Sequence, residues 1–550
     1  MSERWYRNAV IYSVDARTFQ DSDDDGVGDL RGLMSRIDYM SRLGVTAVWL
    51  NPIHPTPFCD GGYDVTDHYG IDPCLGSLGD FADLMNAADE RGLRIILDLV
   101  LNHTSDQHPW FQSALSDPRS PYRDWYVWSE EEPPDLDEGM VFPGVQTATW
   151  TYSDRAGMWY HHRFYDFEPD LNIRNREVRE ELRKIVSFWE RLGVGGFRID
   201  AAPFVIEQTE PGGDPRARDY PFLTELREEM SWRRGDAVFI AEANVDQDEI
   251  TEFFGSADGA ANRVQMLFAF DLNQRLMLAL ARRNPEVVAH ALEEHQALPR
   301  HGQWVTFLRN HDEVDLSRLT PDERDEVYAE FGPHRRHQLY ERGIRRRLAS
   351  MMDGDQARLR MAYSLQFTMP GTPVLRHGDE IGMGENLDLP ERRAIRTPMQ
   401  WSDTPNAGFS KATPERLIEP VIEDGPFSFH EVNVTEQRVD PESLLTWFER
   451  MLNTLRECEE IGTGRHAVIP VEPPAVLAHR AEAASGTVVF LHNLDDEAVK
   501  VELPRQPEED DHHPVEVFSN REYGDLDLRC LELDGYGFRW VRIGRNHSRW

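Results

Sequence analysis

Lysine is nearly missing from this chain, confined to Lys184, Lys411 and Lys500, and basic side chains of any kind are outnumbered by acids to a formal net charge of −39. A surface of that sign repels phosphate backbones and anionic bilayers, which excludes nucleic acid and membrane surfaces as expected partners. Acidity with arginine in place of lysine also fits a protein kept soluble at high salt. Cysteine is scarce too. Cys59, Cys74, Cys458 and Cys530 are too few for a disulfide framework and show no metal-ligand spacing. No stretch reaches the roughly 18 consecutive apolar residues of a membrane span. The N-terminal Met-Ser-Glu-Arg-Trp-Tyr-Arg-Asn lacks the apolar segment of a signal peptide. The expectation is a soluble, cytoplasmic protein, with its oligomeric state left open. With 550 residues, 40% of them hydrophobic, the chain can bury a large core and exceeds one ordinary domain.

Strand and helix patterns alternate. Apolar runs at Ala9–Phe19, Val45–Asn51, Arg94–His103 and from Gly196 predict four strands, and Val238–Asn244, Arg263–Leu272, Gln303–Asp312 and Thr372–Asp379 four more. Helical spacing falls between them, as in Leu30–Leu43, Leu84–Arg91 and Arg179–Leu192. Eight β-then-α units predict an α/β fold, a closed (β/α)8 TIM barrel. Residues 104–172 are too long for a plain loop and predict an inserted subdomain after strand three. From about Val468 short alternating runs, such as Thr487–Leu494 and Phe538–Ile543, predict a C-terminal antiparallel β domain over 468–550. The barrel is then 1–103 plus 173–467, with a charged helical stretch, Pro321–Asp353, over its mouth.

Chemistry gathers at the strand ends. In Gly196-Phe197-Arg198-Ile199-Asp200, residues two apart face the same way, so a guanidinium and a carboxylate enter one interior together. Such a pair is either a structural ion pair or a carboxylate held ionised for nucleophilic work. Strand three ends Asp98-Leu99-Val100-Leu101-Asn102-His103, strand five ends with Glu242-Ala243-Asn244, and strand seven with Asn310-His311-Asp312. Catalytic groups of a barrel come from the carboxyl ends of several strands. Four such endings, with carboxylates and histidines on one rim, are poorly explained by packing, and two carboxyl groups suffice to hydrolyse a glycosidic bond.

These four segments resemble the signature regions of the α-amylase family, glycoside hydrolase family 13. The resemblance implies Asp200 as nucleophile, Glu242 as general acid/base and Asp312 as a third carboxylate gripping sugar hydroxyls. It implies that Arg198 orients Asp200 and that His103 and His311 bind the glucosyl unit. Asp60-Gly61-Gly62-Tyr63-Asp64 matches a loop closing the glucosyl subsite, where Tyr63 stacks and Asp60 binds an outer hydroxyl, and Arg396 matches an arginine paired with that aspartate. A pocket closed at one end accepts a terminal glucose of a short α-glucoside such as maltose. The segments 98–128, 378–399 and 421–456 resemble the trehalose synthase branch of the family, which implies conversion of maltose to trehalose by moving one glucosyl unit. An α-glucosidase or transglucosylase using water or another small acceptor is the alternative. A non-catalytic sugar-binding relative would show an eroded triad or a membrane anchor, and the sequence shows neither.

The resemblance also implies structural calcium and no organic cofactor. Asp21, Asp23, Asp25, the Val27 carbonyl and Asp29 match a calcium loop, and their alternate carboxylates resemble the front of an EF-hand. A second site is implied at Asn102, Asp170 and Glu207 with the carbonyls of Phe204 and Val205. Departures cluster elsewhere. Where that branch carries Gln-Trp after the acid/base segment, this chain has Val245-Asp246, and its sixth strand reads Phe268-Ala269-Phe270-Asp271 instead of Phe-His-Phe-Pro. Glu168 replaces a glutamine, and Arg376-His377 precede Gly378-Asp379-Glu380 where a tyrosine is usual. The donor half of the site is intact and the acceptor side is altered.

Overall fold

The computed structural model describes residues 4–214, 217–232, 235–255, 262–294, 298–504, 514–524 and 526–545. Eight parallel strands close into a barrel: Ile11–Val14, Ala47–Leu50, Arg94–Leu99, Gly196–Ile199, Val238–Ala241, Met266–Phe268, Gln303–Thr306 and Thr372–Arg376. Each strand lies beside its sequence neighbours, and the first pairs with the eighth, Ile11 against Val374. The inward positions of the lower barrel are apolar, among them Ile11, Ala47, Ile96, Val238, Met266 and Val305. Two residues further along, four of the eight strands turn polar on the same face, at Ser13, Asp98, Arg198 and Arg376, all buried, while Trp49, Ile240, Phe268 and Phe307 keep the others apolar. The period of two thus places charge at the carboxyl end of the barrel, directly above an apolar plug. A second apolar layer fills the space between strands and helices.

Strands are shorter than their apolar runs predicted, because the polar strand ends splay into loops. Phe270–Arg282 is a helix, so the predicted sixth strand stops at Phe268 and its last residues begin the next helix. The helix expected over Leu30–Leu43 breaks at Arg36 into Leu30–Ser35 and Ile37–Leu43. Pro321–Asp353 is α-helical only over Pro321–Phe331 and Leu348–Met351; between them come a 3-10 turn, Arg335–His337, and the strands Gln338–Leu339 and Gly343–Ile344, which form a small antiparallel sheet with Val314–Asp315.

Within 104–172, the helix Pro109–Ser116 packs on a three-stranded sheet, Phe111 lying parallel to Trp128 with centroids 5.8 Å apart. A bridge from His103 to Asp170 and the Leu171 N–H donating to the Asn102 carbonyl at 2.8 Å tie it to the barrel rim, while a bridge from Tyr126 to Leu171 closes it on itself. At the far end, strands Arg465–Ile469, Val476–Ala483, Gly486–Asn493, Phe538–Arg545 and Val515–Ser519 form an antiparallel sheet. The predicted range 468–550 includes 505–513, 525 and 546–550, which lie outside the described residues. Trp540 Nε1 donates to Ser364 Oγ at 2.9 Å, and the Trp447 ring packs against Phe538, joining this sheet to the barrel helices.

Candidate active site

Arg198 is the centre of the site. Its Nη1 donates to Asp98 Oδ1 at 2.8 Å and to Asp200 Oδ1 at 2.5 Å, and its Nη2 lies 2.9 Å from Glu242 Oε2. Strands three, four and five put these groups side by side, with Asp98 level with Arg198 in the pairing register. The guanidinium is 1% exposed, so the ion contacts act with little screening. A Cβ at Gly196 would overlap the Val238 carbonyl, which explains a glycine where the fourth and fifth strands approach so closely. Directly after Asp200, Ala201 takes a left-handed conformation (φ 45°), and its N–H donates to Glu242 Oε2 at 3.0 Å. A non-glycine residue there is strained, and the turn spends that strain on holding the second carboxyl.

Burial drives the acid strengths. It pushes Glu242 up to about 7 against the pull of Arg198, and raises Asp200 to about 7 and Asp98 above the usual range. Asp200 and Asp98 receive aligned N–H donors from Arg198, whereas Glu242 has only the ion contact and one backbone donor. The three carboxyls therefore titrate as one set around Arg198, and Glu242 is its member with the fewest donors from the guanidinium.

Asp312 is the opposite case. Burial would raise it, but the guanidinium groups of Arg392 (3.2 Å) and Arg396 (2.9 Å) hold it below the ordinary carboxylate range, with His311 Nε2 at 3.1 Å. Tyr63 lies parallel to His311, its hydroxyl 2.7 Å from Nε2 and donating to Asp98 Oδ2 at 2.9 Å. Burial, reinforced by Arg396 and Arg198, holds His311 neutral. Asp60 faces Arg392 and Arg396, yet burial pushes its carboxyl up to about 6. Gly61 adopts φ +61°, and a Cβ there would collide with Arg396 Nη1. His103 is buried with Nε2 facing Glu168 Oε1 at 3.8 Å.

These groups surround a cavity of about 360 Å³ whose lining includes Asp60, Tyr63, His103, Asp200, Glu242 and Asp312. Its roof is built by two segments that meet. Phe142 of the insertion packs on Tyr340 with centroids 4.7 Å apart, and Arg342 Nη2 donates to the Val141 carbonyl at 2.8 Å. The helix Pro321–Phe331 is not part of that lining. Among the altered positions, Val245 lines the cavity, while Ala269 and Asp271 line a neighbouring one of about 540 Å³.

All nine sugar-site residues marked by the sequence are brought to this one rim, Arg198 and Arg396 among them. Missed were Arg392, whose ion pairs reach Asp312 and Glu313, and the strained Ala201. Glu168 was noted only as a substitution; it is fully buried, its Oε1 accepts no hydrogen bond, and burial with Asp60 and Asp64 nearby raises its carboxyl well above the usual range.

For metal, Asp21, Asp23 and Asp29 offer carboxylate oxygens within 4.8 Å of one another, a donor set that fits a hard cation. Asp25 stands apart from that group, its Oδ1 accepting from the Val27 N–H at 2.8 Å. At the second implied site, Asn102 meets Asp170 at 2.9 Å, but Asp170 is paired with His161 (2.8 Å) and Glu207 with Arg163 (2.6 Å). His161 and Arg163 already occupy oxygens of that set.

A parallel barrel with three carboxyls on one buried guanidinium, roofed over a cavity at the carboxyl ends of its strands, defines a glycoside-processing enzyme. The chain belongs to the α-amylase family: the model of the α-amylase catalytic domain matches residues 11–330 and 343–464, and a sucrose hydrolase-like C-terminal domain matches 486–542. It is 38% identical to a trehalose synthase/amylase of Mycolicibacterium smegmatis, over 98% of this chain and 92% of the relative. It is 37% identical to a trehalose synthase of a Pimelobacter species, over 98% and 96%. Among solved structures, an α-glucosyl transfer enzyme superimposes with a TM-score of 0.78 at 28% identity, covering 98% of this chain and 99% of that one. No helix among the described residues is long and apolar enough to cross a membrane.

Proposed function

We propose that the enzyme moves single α-glucosyl units of maltose-sized donors and that conversion of maltose to trehalose is its main reaction. The observation that carries this is the one guanidinium touching both Asp200 and Glu242 in the wall of the roofed cavity. Asp200 attacks the anomeric carbon while Glu242 gives its proton to the departing glycosidic oxygen. Asp200 then holds the glucosyl unit covalently, and Glu242, now a carboxylate, takes a proton from whichever hydroxyl attacks next. Attack by the anomeric hydroxyl of the retained glucose gives trehalose; attack by water gives free glucose. Asp312, Tyr63, His103, His311 and Asp60 grip the donor unit, with Arg396 and Arg392 fixing Asp312. The contacts of Phe142 with Tyr340 and of Arg342 with the Val141 carbonyl support retention, since they screen the intermediate from water. The altered Val245 beside the cavity favours a second reading in which other small acceptors compete.

The reading includes calcium at the Asp21–Asp29 loop, tying it to the rim, with the glycosyl chemistry independent of the ion. A second ion at Asn102, Asp170 and Glu207 requires Arg163 and His161 to give way, so metal stoichiometry tests it. Four free cysteines are consistent with residence in a reducing cytoplasm. The central test is product analysis after maltose incubation. Trehalose with some glucose is expected; rapid internal cleavage of soluble starch with no action on maltose would overturn the reading.

A further inference from the structure

A cavity of about 1010 Å³ lies beside the start of the Asp21–Asp29 loop and shares no lining residue with the sugar cavity. Arg36, the residue at which the helix over Leu30–Leu43 breaks, lines it, as does Arg438 of the helix Val434–Val439. Acids outnumber bases in this chain by 98 to 59, so an arginine on a cavity wall is expected to meet a carboxylate. Neither of these does: among the described residues no acid lies within 4.0 Å of either guanidinium. Glu449 feels Arg438 through space, without a contact. The acids of the same wall are engaged elsewhere. Asp21 accepts from the backbone of Asp23, Asp24 and Gly26 and from Ser410 Oγ at 2.6 Å, and Asp24 lies 3.8 Å from Lys411.

Each guanidinium lies over an aromatic ring, Arg36 over Trp401 at 4.1 Å and Arg438 over Tyr39 at 5.5 Å, and those two rings meet edge to face with centroids 5.0 Å apart. Attraction to a ring explains one cation on one face. It does not favour a second like charge on the adjoining ring. Arg36 commits Nε and Nη2 to a single neutral acceptor, Gln20 Oε1, at 2.8 and 2.6 Å, which leaves Nη1 without a hydrogen bond among the described residues. Burial and the Arg438 charge together hold Arg36 below its ordinary basicity, as expected of two cations sharing one neighbourhood. An anion between them relieves that repulsion. Two planar forks of N–H donors suit the several oxygens of a phosphoryl group, which accept from both. The volume is that of a site for a whole small molecule rather than a bare ion, and Ser35, Ser402 and Thr404 carry the wall onward with hydroxyls.

We propose that this cavity binds a phosphate monoester, its phosphoryl group held between Arg36 and Arg438 and the rest of the molecule lying along the hydroxyl-bearing wall. The site is separate from the glucosyl-transfer reading and does not rest on it.

Isothermal titration calorimetry of the full chain with glucose 6-phosphate, inorganic phosphate and glucose, all at one ionic strength, tests this. Arg36→Leu removes the half-buried cation. Arg438→Leu removes the exposed one, which makes no side-chain hydrogen bond or ion pair among the described residues, should the first variant fail to fold. Cooperative melting identifies the folded variants. The wild type is expected to bind glucose 6-phosphate with a Kd of about 1 mM or tighter, inorganic phosphate more weakly and glucose not at all. Each folded variant should bind the ester about tenfold or more weakly. Ester affinity unchanged in a folded variant overturns the site, and covers the case of glucose 6-phosphate seated in the sugar cavity instead. No binding of the ester by the wild type up to about 10 mM overturns it too. Inorganic phosphate bound as tightly as the ester would reduce the ligand to a bare ion and overturn the monoester.

Discussion

Arg396 holds Asp312, its Nη2 donating to Oδ1 at 2.9 Å, and makes no ion pair within 4.0 Å with Asp60, the partner that the family resemblance assigned it. Asp60 feels Arg392 and Arg396 only through space, so burial prevails and its acid strength falls. In a double-mutant cycle, Arg396→Leu should couple more strongly to Asp312→Asn than to Asp60→Asn, by roughly 1 kcal/mol or more in kcat/KM for maltose. Equal coupling would return Arg396 to its expected role.

Asp200→Asn should lower turnover of maltose by about 10³-fold or more, because an amide cannot attack the anomeric carbon. The variant should keep its circular dichroism and cooperative melting. Activity within about tenfold of the parent would remove Asp200 from the nucleophile's role.

With Glu242 raised to about 7, the donating acid is lost as pH climbs past neutrality. The pH profile of kcat/KM should fall on that side. Glu242→Gln should flatten this limb and lose most activity on maltose, while a donor whose leaving group needs no proton keeps more. An unchanged alkaline limb in Glu242→Gln would assign it elsewhere.

Stability should have its own pH dependence, from His466, His479 and His492 under the C-terminal sheet. Burial lowers His466 to about 4, His492 to about 3 and His479 well below its ordinary value. The unfolded chain then binds more protons than the folded one between about pH 4 and 6.5, so stability rises with pH across that window and falls on acidification. Urea midpoints measured from pH 4.5 to 7 should show this slope. His479→Phe, a ring of similar shape within the stack formed by His466, Phe490 and His492, should make it shallower.

Removing calcium should lower Tm while leaving kcat nearly unchanged, since Asp21, Asp23 and Asp29 belong to a loop outside the sugar cavity. Elemental analysis without calcium, together with a Tm indifferent to chelator, would reject the site.

The period of two made the barrel and most of the site readable. Arg198 and Asp200 announce themselves as charges on one face of an apolar strand, and three further strand ends repeat the signal. Reading failed where local pattern was weak. Phe270–Leu272 look like strand residues because their apolar character continues that of Phe268, and only the turn at Ala269 redirects them into a helix. Arg392 sits in a short 3-10 turn, Glu391–Ile395, where no period distinguishes an arginine bound to Asp312 from one in solvent. The strain at Ala201 has no sequence sign at all, since alanine rarely adopts that conformation.

The pairing of Ile11 with Val374 has a consequence for how the molecule is made. A ring of strands offers no free edge, but this ring closes only once residue 374 is available to residue 11. During synthesis the first strand waits, one side unpaired, while most of the chain emerges. Pairings between residues so distant in sequence form slowly, and an unsatisfied strand edge invites association with other chains. The growing polypeptide is therefore most exposed to aggregation before its eighth strand emerges, and a truncation ending ahead of Thr372 leaves that exposure permanent.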